Sequence, residues 1–216
     1  MANAAKKQES EMKQIVIPAM DVGLARFDIE SLTPMLLHGL GPWVDQKKSG
    51  GVDKKKKVIP TPEEQYRRSI EAYLAPGSTK NKPKIHAPAA WFKEMLINVA
   101  GRHTQSIKLN TAGGVFHVME DYIPLKHSPV HPRMNFAKIP PRTGGLVAIY
   151  RGQIDTWSCS FTVRFNRGFI DETGLATLIS YGGFANGLGD WRPQKNGTFG
   201  QFQLKRQAKS RRKKAA

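Results

Sequence analysis

The residues best suited to chemistry lie between Gly182 and Phe202, where glycines, an aromatic ring and cations alternate. Six of the chain's 20 glycines fall in this stretch, with Trp191, Arg192 and Lys195 between them. Glycine permits positive φ and lets a backbone come close to another surface. In a loop that faces a polynucleotide, backbone N–H groups and the two cations would meet phosphates while the indole stacks on a base.

Two other interpretations of this stretch stay open. It lacks the Gly-x-x-x-x-Gly-Lys-Ser/Thr and Gly-x-Gly-x-x-Gly patterns, which disfavours a mononucleotide or dinucleotide site. The other alternative is a structural turn in which Trp191 is a buried anchor. We predict a polynucleotide-facing loop, in which the ring and cations named above act together with Gly187, Gly189, Gly197 and Gly200.

Further cations are concentrated in two segments, at about 35–60 and 126–145, that show no regular hydrophobic period. Such segments are typical of basic insertions in a folded domain. They are either solvated loops or phosphate-binding surfaces, and we predict the second. The predicted nucleic-acid contacts outside the glycine-rich stretch, one of them at the start of a helix, are Lys47, Lys48, Lys54, Lys55, Lys56, Lys57, Lys93, Arg133, Lys138 and Arg142.

The whole chain is strongly basic. Its 216 residues carry 34 Lys+Arg against 17 Asp+Glu, a formal net charge of +17, and the sequence pI is about 10.1. This surplus persists when the basic tail after residue 204 is set aside, so it indicates a polyanionic partner, most simply nucleic acid, over a mere gain in solubility. No metal or cofactor site is predicted, because the chain has a single cysteine, Cys159, and no His-Glu-x-x-His motif.

The chain has no run of 18 apolar residues and no signal-peptide pattern at its N-terminus. We therefore expect an intracellular, cytoplasmic protein without a membrane partner. The organisation predicted is a flexible arm at 1–21, a single domain at 22–204 that carries both insertions, and a basic tail at 205–216.

Hydrophobic periodicity predicts the elements that must position these groups. Helix-start signals stand at Thr61 and Asp171, where a capping side chain precedes acidic residues. The predicted elements are strands at 24–31, 115–123, 157–165 and 198–204, and helices at 61–74, 89–99 and 171–181. Their order predicts an α+β fold with a ferredoxin-like, RRM-like split βαβ core, whose sheet leaves one face free for a single strand.

Three stretches resemble the RAMP superfamily, the CRISPR-associated RNA-binding proteins. Gly187-Leu-Gly189 followed by Gly197-Thr-Phe-Gly200-Gln-Phe202 resembles the family's glycine-rich loop, with one residue more between the last glycines than in its tightest form. Residues 27–34 are similar to its first strand and turn, and residues 85–93 to its turn into a helix ending in Lys93. The match covers about half of the chain.

Within that superfamily the size and the two insertions look most like the Cas-seven-like backbone subunits. The resemblance implies sequence-tolerant RNA binding by a repeating subunit of a ribonucleoprotein filament, with an inserted thumb that separates bases into groups. Its implied partners are RNA or single-stranded DNA, further copies of the chain and other CRISPR effector subunits. A relative from a phage or mobile element would share these features.

The resemblance also leaves enzyme activity open, because some RAMP proteins cleave RNA through a histidine or an acid after the first strand. His38, Asp45 and Asp53 lie in the corresponding region and are the candidate catalytic residues of an endoribonuclease. A third alternative is a phage single-stranded-DNA-binding or recombination accessory protein.

Overall fold

The computed structural model describes residues 19–38, 60–79, 82–104, 107–139 and 145–205. Helices and antiparallel sheets alternate along the chain, which confirms the predicted α+β class. The strands are β1 (Val22–Ser31), β2 (Met35–Leu37), β3 (His86–Pro88), β4 (Phe116–Val118), β5 (Tyr122–Pro124), β6 (Lys126–His127), β7 (Val130–Ile139), β8 (Gly145–Ile154), β9 (Trp157–Asn166) and β10 (Phe202–Leu204). The helices are α1 (Pro62–Glu71), α2 (Ala89–His103), α3 (Leu109–Val115) and α4 (Glu172–Tyr181).

The central sheet runs in the order β10, β1, β9, β4, and every neighbouring pair is antiparallel. The short strand β6 pairs with β9 beyond the end of β4. Strand β9 lies between β1 and β4, and helices connect β1 to β4 and β9 to β10 along the chain. The narrower ferredoxin-like assignment stays a prediction.

The core lies on the face of this sheet that α2 and α4 cover. Ala25, Phe27 and Ile29 of β1 are buried and alternate with exposed residues, as the period of two predicts. Phe161 of β9 continues this layer, since its ring centroid lies 4.7 Å from that of Phe92 in α2. Cys159 of the same strand is buried, and burial raises the pKa of its thiol to about 12.

Both predicted helix caps are confirmed. The Thr61 hydroxyl accepts a hydrogen bond from the backbone N–H of Glu64 at 3.3 Å, and the Asp171 carboxylate accepts one from the N–H of Gly174 at 2.7 Å. These acceptors satisfy N–H groups that have no partner inside the helix.

Three elements differ from the prediction. Met35–Leu37, expected to begin an insertion, is a fully buried strand. The single strand expected at 115–123 is two short strands, β4 and β5, and the two glycines before it lie inside helix α3. Helix α2 continues to His103, beyond the end expected at 99. It includes Gly101, whose missing side chain gives room to Leu109, since a Cβ there would lie 2.9 Å from Leu109 Cδ1.

A second sheet stands beside the first. It has the order β2, β8, β7, and β7 pairs with β8 over ten residues, from Val130 opposite Ile154 to Ile139 opposite Gly145. We call this β7–β8 pair the arm. The segment expected as an insertion at 126–145 therefore contains β6 and the whole first strand of the arm.

Candidate nucleic-acid interface

The arm has two faces that are built differently. Residues directly opposite each other in an antiparallel pair share a face, and side chains alternate along each strand. One face carries Met134 and Phe136 of β7 with Tyr150 of β8, and the other carries Arg133 with Arg151. The two faces are held at their base by different parts of the protein.

Helix α1 holds the first face. The Ser69 hydroxyl accepts a hydrogen bond from the N–H of Gly152 at 2.8 Å, and the Gln65 side-chain oxygen accepts one from the N–H of Tyr150 at 3.1 Å. A Cβ on Gly152 would lie 3.0 Å from Ile70 Cγ1, so a glycine at this point lets α1 come close to the strand.

The stretch between Gly182 and Phe202, called the glycine loop below, holds the second face. Arg151 Nε lies 2.8 Å from Asp190 Oδ2, and the guanidinium carbon is 5.4 Å from the centre of the Trp191 ring. Arg151 is only 5% exposed. Arg133, its cross-strand neighbour, places its guanidinium 4.8 Å from the centre of the Phe199 ring. Two arginines of the arm are thus held by charge and by aromatic faces of the loop. We call these contacts at the base of the arm the clamp.

Beyond this clamped base the first face is exposed and apolar. Met134, Phe136 and Leu146 are 47%, 52% and 66% exposed and lie on one face of the arm. Single exposed apolar residues are ordinary, but an aligned set of three on a two-stranded ribbon offers a surface on which a flat apolar group can lie.

His38 stands at the edge of the same clamp. Its Nδ1 lies 3.6 Å from Asp190 Oδ2, its side chain is 54% exposed, and its carbonyl accepts a hydrogen bond from the Tyr73 hydroxyl. The pKa of His38 is lowered: partial burial is the largest cause, and Arg151 adds to it while Asp190 opposes both. The imidazole is therefore mainly neutral at pH 7, the form that accepts a proton.

The glycines of the loop are required by close internal packing. A Cβ on Gly197 would lie 1.7 Å from the carbonyl oxygen of Trp191, and one on Gly200 would lie 1.7 Å from that of Leu188. Gly187 and Gly189 have φ of +66° and +79°, where other residues are strained. These four glycines thus have a structural reason that is independent of any ligand, and their predicted contact with nucleic acid stays a prediction.

Arg192 lies inside the protein. It is 8% exposed, and its Nη2 lies 2.9 Å from Glu94 Oε1 of α2, with Gln194 as a further partner. A phosphate contact by this guanidinium would require the pair with Glu94 to open. Lys195, three residues further on, is exposed, and Trp191 is half-buried with a φ of +48°.

The open face of the central sheet differs from the RNA-recognition surface that was expected. Its outward residues on β1 and β9 include Leu24, Arg26, Ser160 and Arg164, and no aromatic ring stands among the outward side chains of these two strands. Rings at such positions are what stack on bases in RNA-recognition modules. A strand bound there would meet charge and hydroxyl groups instead.

The other predicted site residues are placed as follows. Lys93 is half-buried on α2, Arg133 belongs to the clamp, and Lys138 is opposite Leu146 in the backbone pairing of the arm. The predictions that fall outside the described residues are Asp45, Asp53, Lys47, Lys48, Lys54, Lys55, Lys56, Lys57 and Arg142. His38 alone of the three catalytic candidates therefore has a described environment.

The sequence prediction missed Arg151 and Asp190. One signal was present: Arg151 is a lone charge in a stretch of β8 otherwise free of charged residues, where an ion must be paired if it is buried. The partner of Arg151 cannot be read from the spacing of residues, because the fold brings Asp190 to it. The Asp190 N–H donates to the Leu36 carbonyl at 2.9 Å, which holds the loop on β2.

Within the described ranges there is no group of three or more His, Cys, Asp or Glu side chains that is arranged to hold a metal ion. No helix of the same ranges is long and apolar enough to cross a membrane.

Comparison with known proteins gives little. No protein-family model and no curated protein matches the chain. Among solved structures it is similar to a chain in the cryo-EM structure of the Type III-B Cmr-beta complex bound to cognate target RNA, with 12% identity and a TM-score of 0.46. The match covers 86% of this chain but only 59% of that one. Similarity at this level establishes neither family nor function, so the chain's own residues carry the proposal below.

Because Arg192 is buried and Lys195 is exposed, their substitutions should affect the free energy of unfolding differently. Arg192→Ala removes the partner of Glu94 and should lower the free energy of unfolding by about 1–3 kcal/mol. Lys195→Ala changes an exposed side chain and should alter it by about 0.5 kcal/mol at most. Urea denaturation measures both. A normal free energy of unfolding for Arg192→Ala, together with weaker RNA binding, would assign the guanidinium to the ligand instead.

Proposed function

We propose that this protein binds single-stranded RNA with little sequence preference, and that the arm makes the principal contact. The observation that carries the proposal is the strip of Met134, Phe136 and Leu146, exposed along one face of a ribbon in a protein with a formal charge of +17. Apolar and aromatic side chains that stack on bases tolerate any sequence, because every base has a π-face.

The clamp at the base of the arm supports this role. A binding surface gains affinity when its conformation is fixed before the ligand arrives, since less entropy is then lost on binding. Helix α1 fixes one face of the arm through Ser69 and Gln65, and Asp190 fixes the other through Arg151. The glycine loop then acts as a brace for the arm and only secondarily as a contact surface.

The positive charge supplies the rest of the affinity. Cations near a single strand release counterions, and each phosphate contact lowers log K by about 0.7 per decade of salt. We propose that the predicted contacts Lys93, Lys138 and Lys195, and the lysines and Arg142 outside the described residues, bind phosphates in this way.

We further propose that the protein acts as a RAMP-type, Cas-seven-like subunit that repeats along the RNA and contacts other CRISPR effector subunits. Besides the resemblance of the glycine loop, a second exposed apolar patch supports this. Leu32 and Phe184 are 58% and 73% exposed, and Gln201 is hydrogen-bonded to the backbone of both. Two different apolar patches on one chain favour head-to-tail contacts between copies.

A second candidate function is an endoribonuclease centred on His38. The specific observation in its favour is the trio of a half-exposed neutral imidazole, the Asp190 carboxylate at 3.6 Å and the Arg151 guanidinium. A general base needs a partner that orients it, and a nearby cation stabilises the charge that develops on phosphate.

If the arm makes the principal contact, removal of its exposed apolar side chains should weaken RNA binding. Phe136→Ala with Met134→Ala should weaken the binding of labelled single-stranded RNA by about tenfold or more, since base stacking contributes about 1–3 kcal/mol per base. The slope of affinity against salt should stay unchanged, because no cation is removed. The matched control is Phe169→Ala, which removes a ring that is 47% exposed, lies after β9 and belongs to neither apolar patch. Fluorescence anisotropy across a salt series measures both, and equal effects of the two variants would contradict a specific role for the arm.

A repeating subunit predicts arrays on long RNA. Electron microscopy of the protein with long single-stranded RNA should show regularly spaced copies, and their number should rise with RNA length. Single copies scattered on long strands would contradict the filament. A competition between RNA and single-stranded DNA at fixed salt distinguishes the remaining alternative, because equal affinity would favour the phage single-stranded-DNA-binding protein.

The nuclease candidate predicts cleavage that depends on one imidazole. Incubation of labelled RNA with and without divalent metal should give products that His38→Ala removes while binding is kept. Because the pKa of His38 is lowered, a base at this position would stay active below about pH 6.5, the ordinary range of histidine. A lack of products from the unaltered protein would remove this candidate.

A further inference from the structure

A cleft on the open face of the central sheet is separate from the arm. It has a volume of about 590 Å³ and is lined by residues of β1, β6 and β9, by Pro124 and Leu125 before β6, and by the residue after β10. The polar groups at its wall are Arg26, Asp28, Lys126, Ser158, Ser160 and Lys205. None of the described residues of the arm lines it.

The backbone pairing explains why these groups meet. Asp28 is opposite Ser160 across β1 and β9, and Lys126 is opposite Ser158 across β6 and β9. On the other side of β1, the Lys205 N–H donates to the Asp28 carbonyl at 2.8 Å. The backbones of Lys205 and Lys126 are therefore separated by three strand intervals, about 14 Å across the sheet, and by two residues along it, which lets both side chains reach the cleft between them.

Arg26 completes the arrangement. It lies two residues before Asp28 on β1, so it shares the open face, and its side chain is exposed. Three cations from three separate elements thus surround a floor that carries two serine hydroxyls. Among the described residues, no carboxylate forms an ion pair with Arg26, Lys126 or Lys205.

The carboxylates of this face are already engaged. Asp28 accepts a hydrogen bond from the Ser160 hydroxyl, and Glu30 accepts one from the Gln203 amide at 3.0 Å. Glu120 accepts the N–H of Thr162 at 3.0 Å. Asp28 is the only one of the three that lines the cleft, so the cleft carries a surplus of two positive charges.

We propose that this cleft binds a phosphate group. A guanidinium donates two parallel hydrogen bonds to phosphate oxygens, and the ammonium groups neutralise the remaining charge. The Ser158 hydroxyl donates to an oxygen that faces the sheet, while the Ser160 hydroxyl stays bonded to Asp28. The same chemistry fits a phosphodiester of a polynucleotide and the terminal phosphate of a free nucleotide. The site does not depend on the arm or on the function proposed for it.

Substitution of Asp28 distinguishes a phosphate site from attraction by the general positive charge of the protein. Its carboxylate repels the ligand, so Asp28→Asn should tighten binding by roughly threefold, as expected for one partly solvated charge. Arg26→Gln with Lys126→Gln removes two donors and should weaken binding by roughly tenfold or more per cation. The matched control is Arg164→Gln, which removes an exposed cation of the same face outside the cleft and should change affinity by about twofold at most.

The test titrates each full-length variant with orthophosphate and with adenosine monophosphate by calorimetry, and with single-stranded RNA by anisotropy. Changes in all three titrations establish a site for the phosphate group itself. A change with RNA alone assigns the site to a phosphodiester of a bound strand, and a change with the small anions alone assigns it to a free nucleotide. The proposal is overturned if Arg26→Gln with Lys126→Gln behaves like Arg164→Gln throughout, or if Asp28→Asn weakens binding of the ligand.

Discussion

The ion pair between Arg151 and Asp190 is the interaction on which the arrangement of the molecule depends. It joins the arm to the glycine loop, and the loop in turn lies on β2 through Asp190 and on the core through Leu188. Burying two charges removes them from water at a cost that their attraction offsets only with good geometry. The value of such a pair therefore lies less in net stability than in fixing one orientation of two elements.

This view changes the role of the glycine loop. Its glycines were expected to bring backbone close to a ligand, yet those at 197 and 200 bring backbone close to backbone within the loop itself. The tight loop then presents Asp190, Trp191 and Phe199 towards the arm. In the proposed function such a loop acts by positioning the arm, so glycines and aromatic residues that indicate a contact site in the sequence can instead form its support.

Local signals in the sequence predicted the parts of the fold that local physics determines. The alternation in β1 and β9 and the caps at Thr61 and Asp171 were read correctly, because a period of two and a capping oxygen need no distant partner. Met35–Leu37 was missed, since three consecutive buried apolar residues have no period to detect. The first strand of the arm was missed because prolines and charges in 126–145 resemble a loop, and only pairing with β8 makes them a strand. The Arg151–Asp190 contact depends on that same distant pairing.

The pairing of β1 sets the order in which the protein can assemble during synthesis. Val22 pairs with Asn166 and Ile29 with Leu204, so the first strand of the described chain has no sheet partner until β9 and β10 have been made. Contacts of such long sequence separation slow folding, because the chain loses the entropy of closing a long loop before the contacts form. The ribosome must therefore synthesise the chain past β10 before the core closes, and the apolar face of β1 is exposed to aggregation until then.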